Sequence, residues 1–484
     1  MKTDIAIVGG GLSGLATAVQ VHRQRPDCGV RIFEAGERLG GVIHTTQADG
    51  FLIDHGADMF ATQPPAAVDL CHAIGAGVDL IRPLPNHRGA KIWFGGKLHP
   101  IPDGFVLMRA TRIAPVLHSG LLSLAGKFGI LAERFRAKGS GRDESVGDFV
   151  RRRMGDQVLS RIVAALVGGI YTADIDRLSM QATMGGLAKM EQEYGSLAAA
   201  TAARRRAGQD DVERESGGAR YENFRAFPGG MKEFIDRLAG FLPDGSIELN
   251  TPVQSIARDG EFWNLRAGGQ PEIQARQLVL ALPPRPASAL LSAIDSALSA
   301  SIDSIRCSSC AIVVLGVDES QISDTIEMFG FVVPPSEQRS ILAASFASRK
   351  FAGRAPQGQI LIRCFVGGTL DEPILEKADE ELVQIVRDEL ADMIGLSGAA
   401  KHTAVVRWPD SMPQYEVGHL DKVAAIQKQL QSHQGLHWIS NAAGGVGIAP
   451  VIASAERLAK TLVDAADKVT TSPMQTVPFP PQTS

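Results

Sequence analysis

The sequence predicts a protein of mixed α/β and α+β class that begins with a Rossmann-like nucleotide-binding unit. Three observations support this prediction. The first 33 residues follow the order strand, glycine-rich turn, helix and strand. Strand-like segments return after a helix-rich middle region. The chain has 484 residues, which is more than one ordinary hydrophobic core holds, so we expect two or three domains.

The N-terminal unit shows the two hydrophobic periods of strands and helices in succession. Residues 3–8 form a short apolar strand, and residues 30–33 form a second one. Between them, apolar residues recur at the i, i+3, i+4, i+7 spacing of a buried helix face: Leu12, Leu15, Ala16 and Val19.

The turn in this unit carries a nucleotide-binding glycine motif. Gly9, Gly11 and Gly14 spell G-x-G-x-x-G, and Glu34 follows the second strand. These glycines permit a tight turn, close approach of a pyrophosphate and close packing of helix on strand. The phosphates would face the helix N-terminus, whose N–H groups and dipole favour negative charge. Glu34 would accept hydrogen bonds from the ribose diol, which disfavours NADP. The strand–turn–helix context argues against a glycine turn without a ligand.

The composition excludes several kinds of partner. The net charge of -4 and the pI of about 6.3 imply no basic face for nucleic acid. Arginine runs at 151–153 and 204–206 have acidic neighbours, so we expect solvated helix faces. Five widely spaced cysteines indicate a reducing compartment and no disulfide framework. Cys307 and Cys310 match C-x-x-C but lead into an apolar strand pattern, so we interpret them as strand residues and expect no metal site.

We found no stretch apolar enough to predict a transmembrane helix. Residues 113–131 come nearest to a membrane-surface element, but His118 and Lys127 interrupt them and we expect a helix packed on its own domain. The protein is therefore expected in the cytoplasm, with at most peripheral contact with the inner face of the membrane.

The rest of the chain divides into a helical middle and two strand-rich regions. Helices are expected over residues 111–218, of which 201–218 form a mobile loop or frayed helix. A second strand-rich block covers residues 307–366, and a helix is expected near residues 376–394. The strands expected between these regions are 246–250, 253–257, 262–267 and 277–282.

A second motif follows the nucleotide motif. Its residues spell E-x-x-x-R-L-G-G: Glu34, Arg38, Leu39, Gly40 and Gly41. Residues 51–57 continue the pattern. This region resembles the second FAD fingerprint of the flavin amine oxidase superfamily, in which the arginine and the glycine pair approach the cofactor diphosphate. Val253 matches the residue whose backbone holds adenine in these families.

The C-terminal region agrees with that resemblance. Residues 436–439 form a strand, residues 441–447 a glycine-rich turn, and a helix follows with one apolar face: Ile448, Ile452, Ala455, Ala459 and Leu462. In the resembling families this helix points its N-terminus at the N1/O2 edge of the flavin. Such an arrangement would stabilise the anionic reduced flavin.

Further stretches resemble one group within the superfamily, the oxygen-dependent protoporphyrinogen and coproporphyrinogen oxidases of haem biosynthesis. The most specific is W-x-x-S-M-P-Q-Y at residues 408–415, preceded by Arg407. The resemblance runs from about residue 4 to residue 464 in one order. The other matching stretches are 98–102, 143–149, 151–155, 168–174, 178–179, 330–334, 365–368 and 417–419.

The resemblance implies an FAD-binding domain built from three segments, between which a mixed-sheet substrate domain and a helical lobe are inserted. We place the FAD-binding domain at 1–87, 221–300 and 421–468, the substrate domain at 88–110 and 301–420, the helical lobe at 111–220 and a disordered tail at 469–484. FAD is expected to bind non-covalently. The residues expected at its site are Gly9, Gly10, Gly11, Leu12, Ser13, Gly14, Glu34, Ala35, Arg38, Gly40, Gly41, Val42, Gly56, Ala57, Asp58, Met59, Val253, Asn441, Val446, Gly447 and Ile448.

The reaction implied is the six-electron oxidation of a porphyrinogen to its porphyrin, with three O₂ reduced to three H₂O₂. Flavin N5 would take the hydride, so we expect no catalytic side chain and no metal. Gly169 matches the family glycine that borders the macrocycle, and Val332 and Phe365 match positions that hold its rings. Eukaryotic members bind a propionate with an arginine whose aligned position here is Ala90, so Lys91 or Arg88 would supply the cation.

Several alternatives stay open at this stage. The last family motif departs here, with Ala449-Pro450-Val451 where P-D-C is usual, so the wall of the flavin pocket is expected to differ. Another flavin oxidase or desaturase, such as an amine oxidase, and a non-catalytic flavin protein are the competing functions. Protoporphyrinogen and coproporphyrinogen are not distinguished. Ferrochelatase is a candidate for product hand-over, and the protein is expected to be a monomer or a homodimer.

Overall fold

The computed structural model describes residues 2–87, 89–106, 108–208, 223–269 and 271–470. Its strands in chain order are β1 Lys2–Val8, β2 Val30–Phe33, β3 Thr45–Ala48, β4 Phe51–Asp54, β5 Phe60–Ala61, β6 Ala90–Phe94, β7 Lys97–Pro100, β8 Phe105–Val106, β9 Arg109–Ala110, β10 Phe224–Arg225, β11 Ile247–Glu248, β12 Val253–Asp259, β13 Phe262–Ala267, β14 Ile273–Leu280, β15 Cys307–Asp318, β16 Gly330–Val332, β17 Ile341–Phe346, β18 Gln359–Gly367, β19 His402–Pro413 and β20 Leu436–Trp438.

The α-helices are α1 Leu12–Gln24, α2 Ala66–Ala73, α3 Ile113–His118, α4 Leu124–Ala132, α5 Val146–Met154, α6 Asp156–Val158, α7 Ala164–Tyr171, α8 Met180–Tyr194, α9 Leu197–Arg206, α10 Met231–Gly240, α11 Pro284–Leu291, α12 Ser296–Asp303, α13 Ala347–Lys350, α14 Asp379–Ile394, α15 His419–Leu430, α16 Asn441–Gly444 and α17 Ile448–Thr470. A π-helical segment, Leu159–Val163, joins α6 to α7.

The first sheet has seven strands with a parallel centre. The order is β11-β2-β1-β14-β13-β12, and β20 also pairs with β14. Strand β1 is parallel to both β2 and β14. Strand β13 pairs antiparallel with the first part of β14, whereas β20 pairs in parallel with its last residues. Apolar side chains of α1, α2, α10 and α17 cover one face, and those of α11, α12 and α15 cover the other. The predicted Rossmann-like unit is confirmed.

The second sheet also has seven strands, in the order β19-β15-β18-β17-β16-β6-β7. It is mixed, because β16 runs parallel to β6 while the other neighbours are antiparallel. Helix α14 packs its apolar residues on one face. The opposite face is covered by the β3–β4 hairpin and by the helical lobe of α3–α9. The predicted mixed-sheet unit and helical lobe are thus present, and the domain boundaries given above stay a proposal.

The prediction that the arginine run at 151–153 forms a solvated helix face was wrong. Arg153 is fully buried, and its guanidinium pairs with Glu133 and lies 3.2 Å from Glu191. Arg152 also pairs with Glu191, at 2.6 Å. These buried carboxylates take the Arg153 guanidinium out of solvent and leave Arg152 partly exposed, which a sequence run of three arginines does not reveal. Of the three, Arg151 is the one that remains on the surface.

The region from 113 to 131 forms two helices, α3 and α4, rather than one. Helix α4 packs on its lobe through Gly126, Gly129 and Ile130, as expected. Its other face is exposed, which was not expected: Leu124 is 85% and Phe128 70% accessible, and Phe135 just beyond the helix is 82% accessible. Among the described residues, no helix has the length and hydropathy needed to cross a membrane.

Other element predictions differ from the structure mainly at their ends. The strand expected at 246–250 is limited to β11, because Asn250 adopts a positive φ of 51°. The helix expected near 376–394 begins at Asp379. Cys307 and Cys310 lie on β15, as predicted. Of the segment expected to be a loop or frayed helix, the part up to Arg206 belongs to α9, and residues 209–218 lie outside the described residues, as do residues 471–484 of the expected tail.

Candidate functional site

The glycine motif forms a cradle at the carboxyl end of β1. Gly9 has a φ of 107° that favours glycine, and a Cβ on Gly14 would clash with the carbonyl oxygen of Gly9. A Cβ on Gly11 would have no heavy atom within 4 Å, so open space lies beside this residue. Gly11 is also the residue before α1, and neither a side-chain cap nor an acidic residue lies in the first turn of that helix. The cradle can therefore accept a phosphate group on free helical N–H groups.

Glu34 holds the cradle from the next strand. One carboxylate oxygen accepts a hydrogen bond from the Gly10 nitrogen at 2.6 Å, and the other accepts one from Gly36 at 2.8 Å. A carboxylate oxygen has a second lone pair, so a ribose hydroxyl can still bind. The backbone of Glu34 accepts a hydrogen bond from Thr251 at 2.8 Å, which brings the start of β12 and Val253 to the same end of the sheet. Ala35 is exposed beside them.

The second predicted loop lies directly against the first. The Gly40 nitrogen donates to the Gly10 carbonyl at 2.9 Å, and a Cβ on Gly41 would be 3.5 Å from the Gly11 Cα. The Arg38 guanidinium contacts the carbonyl of Leu39 at 3.3 Å. This loop also contacts the third one, residues 55–59, because a Cβ on Gly56 would clash with the carbonyl of Val42.

The last helix brings the C-terminal turn into the same core. Leu12 of α1, Met59 and Ile448 of α17 belong to one hydrophobic cluster, in which Met59 is partly buried. Gly447 has a φ of 106°, so a residue with a side chain would be strained there. The turn begins with the short helix α16 at Asn441, and Val446 packs on the lobe. The C-terminal turn is therefore in contact with both the core of the first sheet and the helical lobe.

Two residues in and just after β19, Trp408 and Tyr415, hold loop 55–59 and the C-terminal turn in place. The Tyr415 hydroxyl accepts a hydrogen bond from the Gly445 nitrogen at 2.9 Å and donates one to the Asn441 carbonyl. The indole nitrogen of Trp408 donates to the His55 carbonyl at 2.8 Å. These contacts explain the physical role of the W-x-x-S-M-P-Q-Y stretch, which its sequence alone did not show. Burial raises the pKa of Tyr415, so its hydroxyl keeps its proton.

Charged side chains that the sequence did not single out lie beneath the third loop. Lys350 Nζ lies 2.9 Å and an Arg363 terminal nitrogen 3.0 Å from the same oxygen of Asp58. Arg363 also donates to the carbonyl of Gly56. Burial alone would raise the pKa of Asp58, but Lys350 and Arg363, with a smaller effect from Arg354, lower it to about 2. No local pattern could have indicated this cluster, because Asp58 and Lys350 are 292 positions apart.

Two of the predicted substrate residues, Val332 and Phe365, lie on one face of the second sheet, and a third, Gly169, lies over them. Val332 pairs with Ala343, and Ala343 pairs with Phe365, so the three form one row across neighbouring strands. Gly169 of α7 lies over this row: a Cβ on it would be 3.5 Å from a methyl carbon of Val332. Gly169 also lines a cavity of ≈ 20 Å³, about the volume of one water molecule.

The predicted cation does not join this row. On β6, Ile92 packs with the helical lobe, whereas Trp93 packs with α14. Side chains alternate along a strand, so Lys91 lies on the α14 side, next to Phe331 and opposite Val332. Arg88 lies outside the described residues. A cation that does share a face with Phe365 is Arg363, whose guanidinium carbon is 5.5 Å from the phenyl ring centre.

These features fit a flavin dinucleotide. The cradle has open space at Gly11, the helix N-terminus is free of acidic residues, and Glu34 offers carboxylate lone pairs. In addition, the Nε atom of Arg363 is buried without a hydrogen-bond partner. Among the described residues, no group of three or more His, Cys, Asp or Glu side chains could hold a metal ion.

Comparison with known proteins gives a consistent set of relatives. Residues 12–463 match the family model described as flavin containing amine oxidoreductase. The chain is 29% identical to the coproporphyrinogen III oxidase of Bacillus subtilis (strain 168), over 92% of this chain and 95% of that protein. It is 31% identical to the coproporphyrinogen III oxidase of Propionibacterium freudenreichii, over 97% of this chain and 92% of the relative. Identity to the chloroplastic protoporphyrinogen oxidase 1 of Arabidopsis thaliana is 28%, over 93% and 86%.

Solved structures agree with this result. A crystal structure from Exiguobacterium sp. 255-15, provisionally named a protoporphyrinogen oxidase, superposes with a TM-score of 0.83 at 30% identity and covers 96% of this chain and 99% of that one. The cyclohexylamine oxidase of Brevibacterium oxydans IH-35A has a TM-score of 0.68 at 16% identity, over 96% and 99% of the two chains, which shows the shared fold alone.

Proposed function

Because the chain belongs to the flavin containing amine oxidoreductase family, in the group of the coproporphyrinogen III and protoporphyrinogen oxidases, we propose that it oxidises a porphyrinogen to its porphyrin. FAD would be bound non-covalently, with O₂ as electron acceptor and H₂O₂ as product, in haem biosynthesis. Coproporphyrinogen III and protoporphyrinogen IX are the two candidate substrates. The observation that carries the proposal is the presence of a dinucleotide cradle on the first sheet and of the row with Val332 and Phe365 under Gly169 on the second, in a chain with these relatives.

The proposed roles of the chain are binding, orientation and exclusion of water. Gly9, Gly11 and Gly14 would hold the pyrophosphate at the start of α1, and Glu34 would hold the adenosine ribose. Gly447 and the N-terminus of α17 would lie near the flavin pyrimidine ring. FAD supplies a two-electron acceptor, so three rounds would remove the six electrons and six hydrogens.

The substrate would be held mainly by shape. The apolar row of Val332 and Phe365 would contact the face of a macrocycle, and Gly169 adds no side chain between that row and α7. A hydride donor must be held close to the acceptor while water is excluded, and buried apolar walls provide both conditions. Three bridge hydrogens would leave as hydride, and the three accompanying protons, two from pyrrole N–H groups and one from the fourth bridge, would pass to solvent without an acid or base from the chain.

Purified protein with its bound FAD tests the proposal directly. Under anaerobic conditions, coproporphyrinogen III or protoporphyrinogen IX should bleach the flavin absorbance. Admission of O₂ should then restore the absorbance and give about three H₂O₂ for each fluorescent porphyrin, because flavin takes two electrons at a time. Steady-state kinetics on both porphyrinogens would identify the preferred one. A protein that no porphyrinogen reduces while a simple amine does would support the amine oxidase alternative.

A further inference from the structure

A buried group of three charges joins loop 55–59 to the second sheet region. We call Asp58, Lys350 and Arg363 the Asp58 cluster. Lys350 and Arg363 are only 8% and 1% exposed, and Asp58 is buried with them. Both cations contact the same oxygen of Asp58, at 2.9 and 3.0 Å. The cluster is fixed to loop 55–59 twice, through Asp58 itself and through the hydrogen bond from Arg363 to the Gly56 carbonyl.

The cluster carries more positive than negative charge. Lys350 and Arg363 contribute two cations, and Asp58 is the carboxylate with which the structure pairs them in the described part of the chain. The neighbouring Arg354 has a carboxylate of its own, Asp54, at 3.6 Å. Because the pKa of Asp58 is lowered to about 2 even though burial alone would raise it, Asp58 is ionised at neutral pH. One positive charge therefore remains without a counter-charge among these groups.

An uncompensated buried charge indicates a missing anion. Water screens such a charge poorly inside a protein, so its field extends further than that of a surface residue. Arg363 also has a buried Nε atom without a hydrogen-bond partner. The loop to which the cluster is attached belongs to the proposed FAD site, and a reduced flavin is an anion. A carboxylate of the substrate is the other anion available on this side of the sheet, because Arg363 shares a face with Phe365.

We infer that the Asp58 cluster is a fixed positive charge that stabilises the reduced flavin and raises its reduction potential. This inference rests on the proposed function, because it requires FAD in the site. The three residues act through the field that they place beneath loop 55–59, so they are positioning residues rather than catalytic ones. The attachment of two cluster members to that loop favours the flavin over a substrate carboxylate as the anion served.

The charge of the cluster can be changed in both directions. Lys350→Met removes a cation and should lower the potential of the bound flavin. Asp58→Asn removes the anion and should raise it. A shift of about tenfold in the reduction equilibrium corresponds to ~30 mV for a two-electron couple, and we expect shifts of this order from each substitution. The double variant Lys350→Met/Asp58→Asn restores the original net charge and should return the potential close to that of the unmodified protein.

The potential is measured by reduction of the purified holoprotein in the presence of a reference dye. Arg349→Met is the matched control: Arg349 adjoins Lys350 but pairs with the partly exposed Glu319, so its loss should leave the potential unchanged. A structural defect would move both single variants in the same direction. Shifts of one sign in both variants, or no shift in either, overturn the inference. If Lys350→Met does not retain FAD, Asp58→Asn decides the question by itself. A higher flavin potential in Asp58→Asn supports the inference, and a potential that is not higher overturns it.

The two sources of the anion give different results. A substrate carboxylate as the true partner would leave the potential of every variant unchanged and raise the KM of Lys350→Met for the porphyrinogen, which would overturn our assignment to the flavin. Failure of the proposed function can be recognised separately, in the unmodified protein. Purified protein that contains no FAD, or that oxidises neither porphyrinogen, would contradict the proposed function before any variant is compared.

Discussion

The hydroxyl oxygen of Tyr415 lies 2.9 Å from the backbone nitrogen of Gly445 and accepts its hydrogen bond. The residue at the end of the second sheet thus anchors the turn that precedes the last helix. Its ring also stacks on His419, with ring centres 3.9 Å apart. The position of the proposed flavin-binding turn therefore depends on the substrate side of the molecule.

Tyr415→Phe should loosen this turn while it preserves the stacked ring. The substitution leaves the partly buried Gly445 N–H without its partner, which costs about 1 kcal/mol. We expect a lower midpoint of urea unfolding and faster release of FAD, measured by flavin fluorescence after dilution. Tyr194→Phe, at an exposed tyrosine, is the control and should change neither. Equal FAD release from Tyr415→Phe and the unmodified protein would contradict a role for this contact.

Glu34→Ala should weaken FAD binding at least tenfold. Two charge-assisted hydrogen bonds to the ribose would be lost, each worth about 1.5–3 kcal/mol. The structure adds a second reason, since the Gly10 and Gly36 nitrogens also lose their acceptor. Affinity is measured by titration of apoprotein with FAD, and the exposed Glu37→Ala serves as the control. Unchanged retention of FAD by Glu34→Ala in gel filtration would count against the assignment of the cofactor site.

Substitutions at Gly169 should act through shape. A Cβ at this position makes ordinary contacts with Val332 and Ala343, so Gly169→Ala should fold and bind FAD normally. Gly169→Val adds bulk towards the proposed ring site and should raise KM and lower kcat together, because a displacement of even ~1 Å disrupts the reactive geometry. Gly186→Ala, where a Cβ meets no neighbour within 4 Å, is the control. Full turnover by Gly169→Val would remove this residue from the substrate site.

The exposed face of α4 should bind anionic membranes. Residues 111–142 contain six lysines and arginines and one acidic residue, Glu133, which is buried. An apolar face with basic neighbours is typical of interfacial helices. We expect co-sedimentation with vesicles that contain phosphatidylglycerol, and weaker binding in high salt. Phe128→Glu should reduce the affinity about tenfold, as expected for one buried phenyl ring.

The control for this surface is Val78→Glu, which changes an exposed apolar residue elsewhere in the chain. It should bind vesicles like the unmodified protein. Self-association through the same face would instead appear as a dimer that Phe128→Glu dissociates in the absence of lipid. Binding to neutral and anionic vesicles with the same affinity would contradict the electrostatic part of the prediction.

Stability should fall as the pH drops from about 6.5 to 4. Burial lowers the pKa of His55, His419 and His437 from 6.5 to about 4 in each case. In this window the unfolded chain binds protons that the folded protein does not, so acid favours unfolding. The measurement is the free energy of unfolding by urea at pH 7 and pH 5. His437→Gln should reduce the difference between the two values, whereas the exposed His118→Gln should not.

The N-terminal half of the site could be predicted because its signals are local. Strand, glycine turn, helix and Glu34 fall within 34 residues, and each has its own period or spacing. The row formed by Val332 and Phe365 was reached through the family resemblance, and the structure shows that the two residues share a face. The sequence could not assign Lys91 to a face, because the side of a sheet on which a residue lies depends on the register with neighbouring strands.

The residues that sequence analysis did not identify have partners that are far away along the chain. The Asp58 cluster joins a loop near the N-terminus to two elements of the second sheet region. Likewise, Arg153 appears in a polar run and is buried by carboxylates from two other segments. Charge pairs of this kind depend on tertiary packing, and a charged residue in sequence is ordinarily expected at the surface.

The parallel pairing of β20 with β14 and the packing of α17 on α1 have a consequence for synthesis of the protein. A nascent chain that ends before Leu436 has every glycine of the N-terminal cradle but lacks the strand and helix that complete its domain. Proteins fold from the N-terminus while they are made, so the cradle must wait until β20 and α17 have been synthesised. Capture of FAD would then follow the synthesis of α17, and products truncated before Leu436 would leave the ribosome without the cofactor.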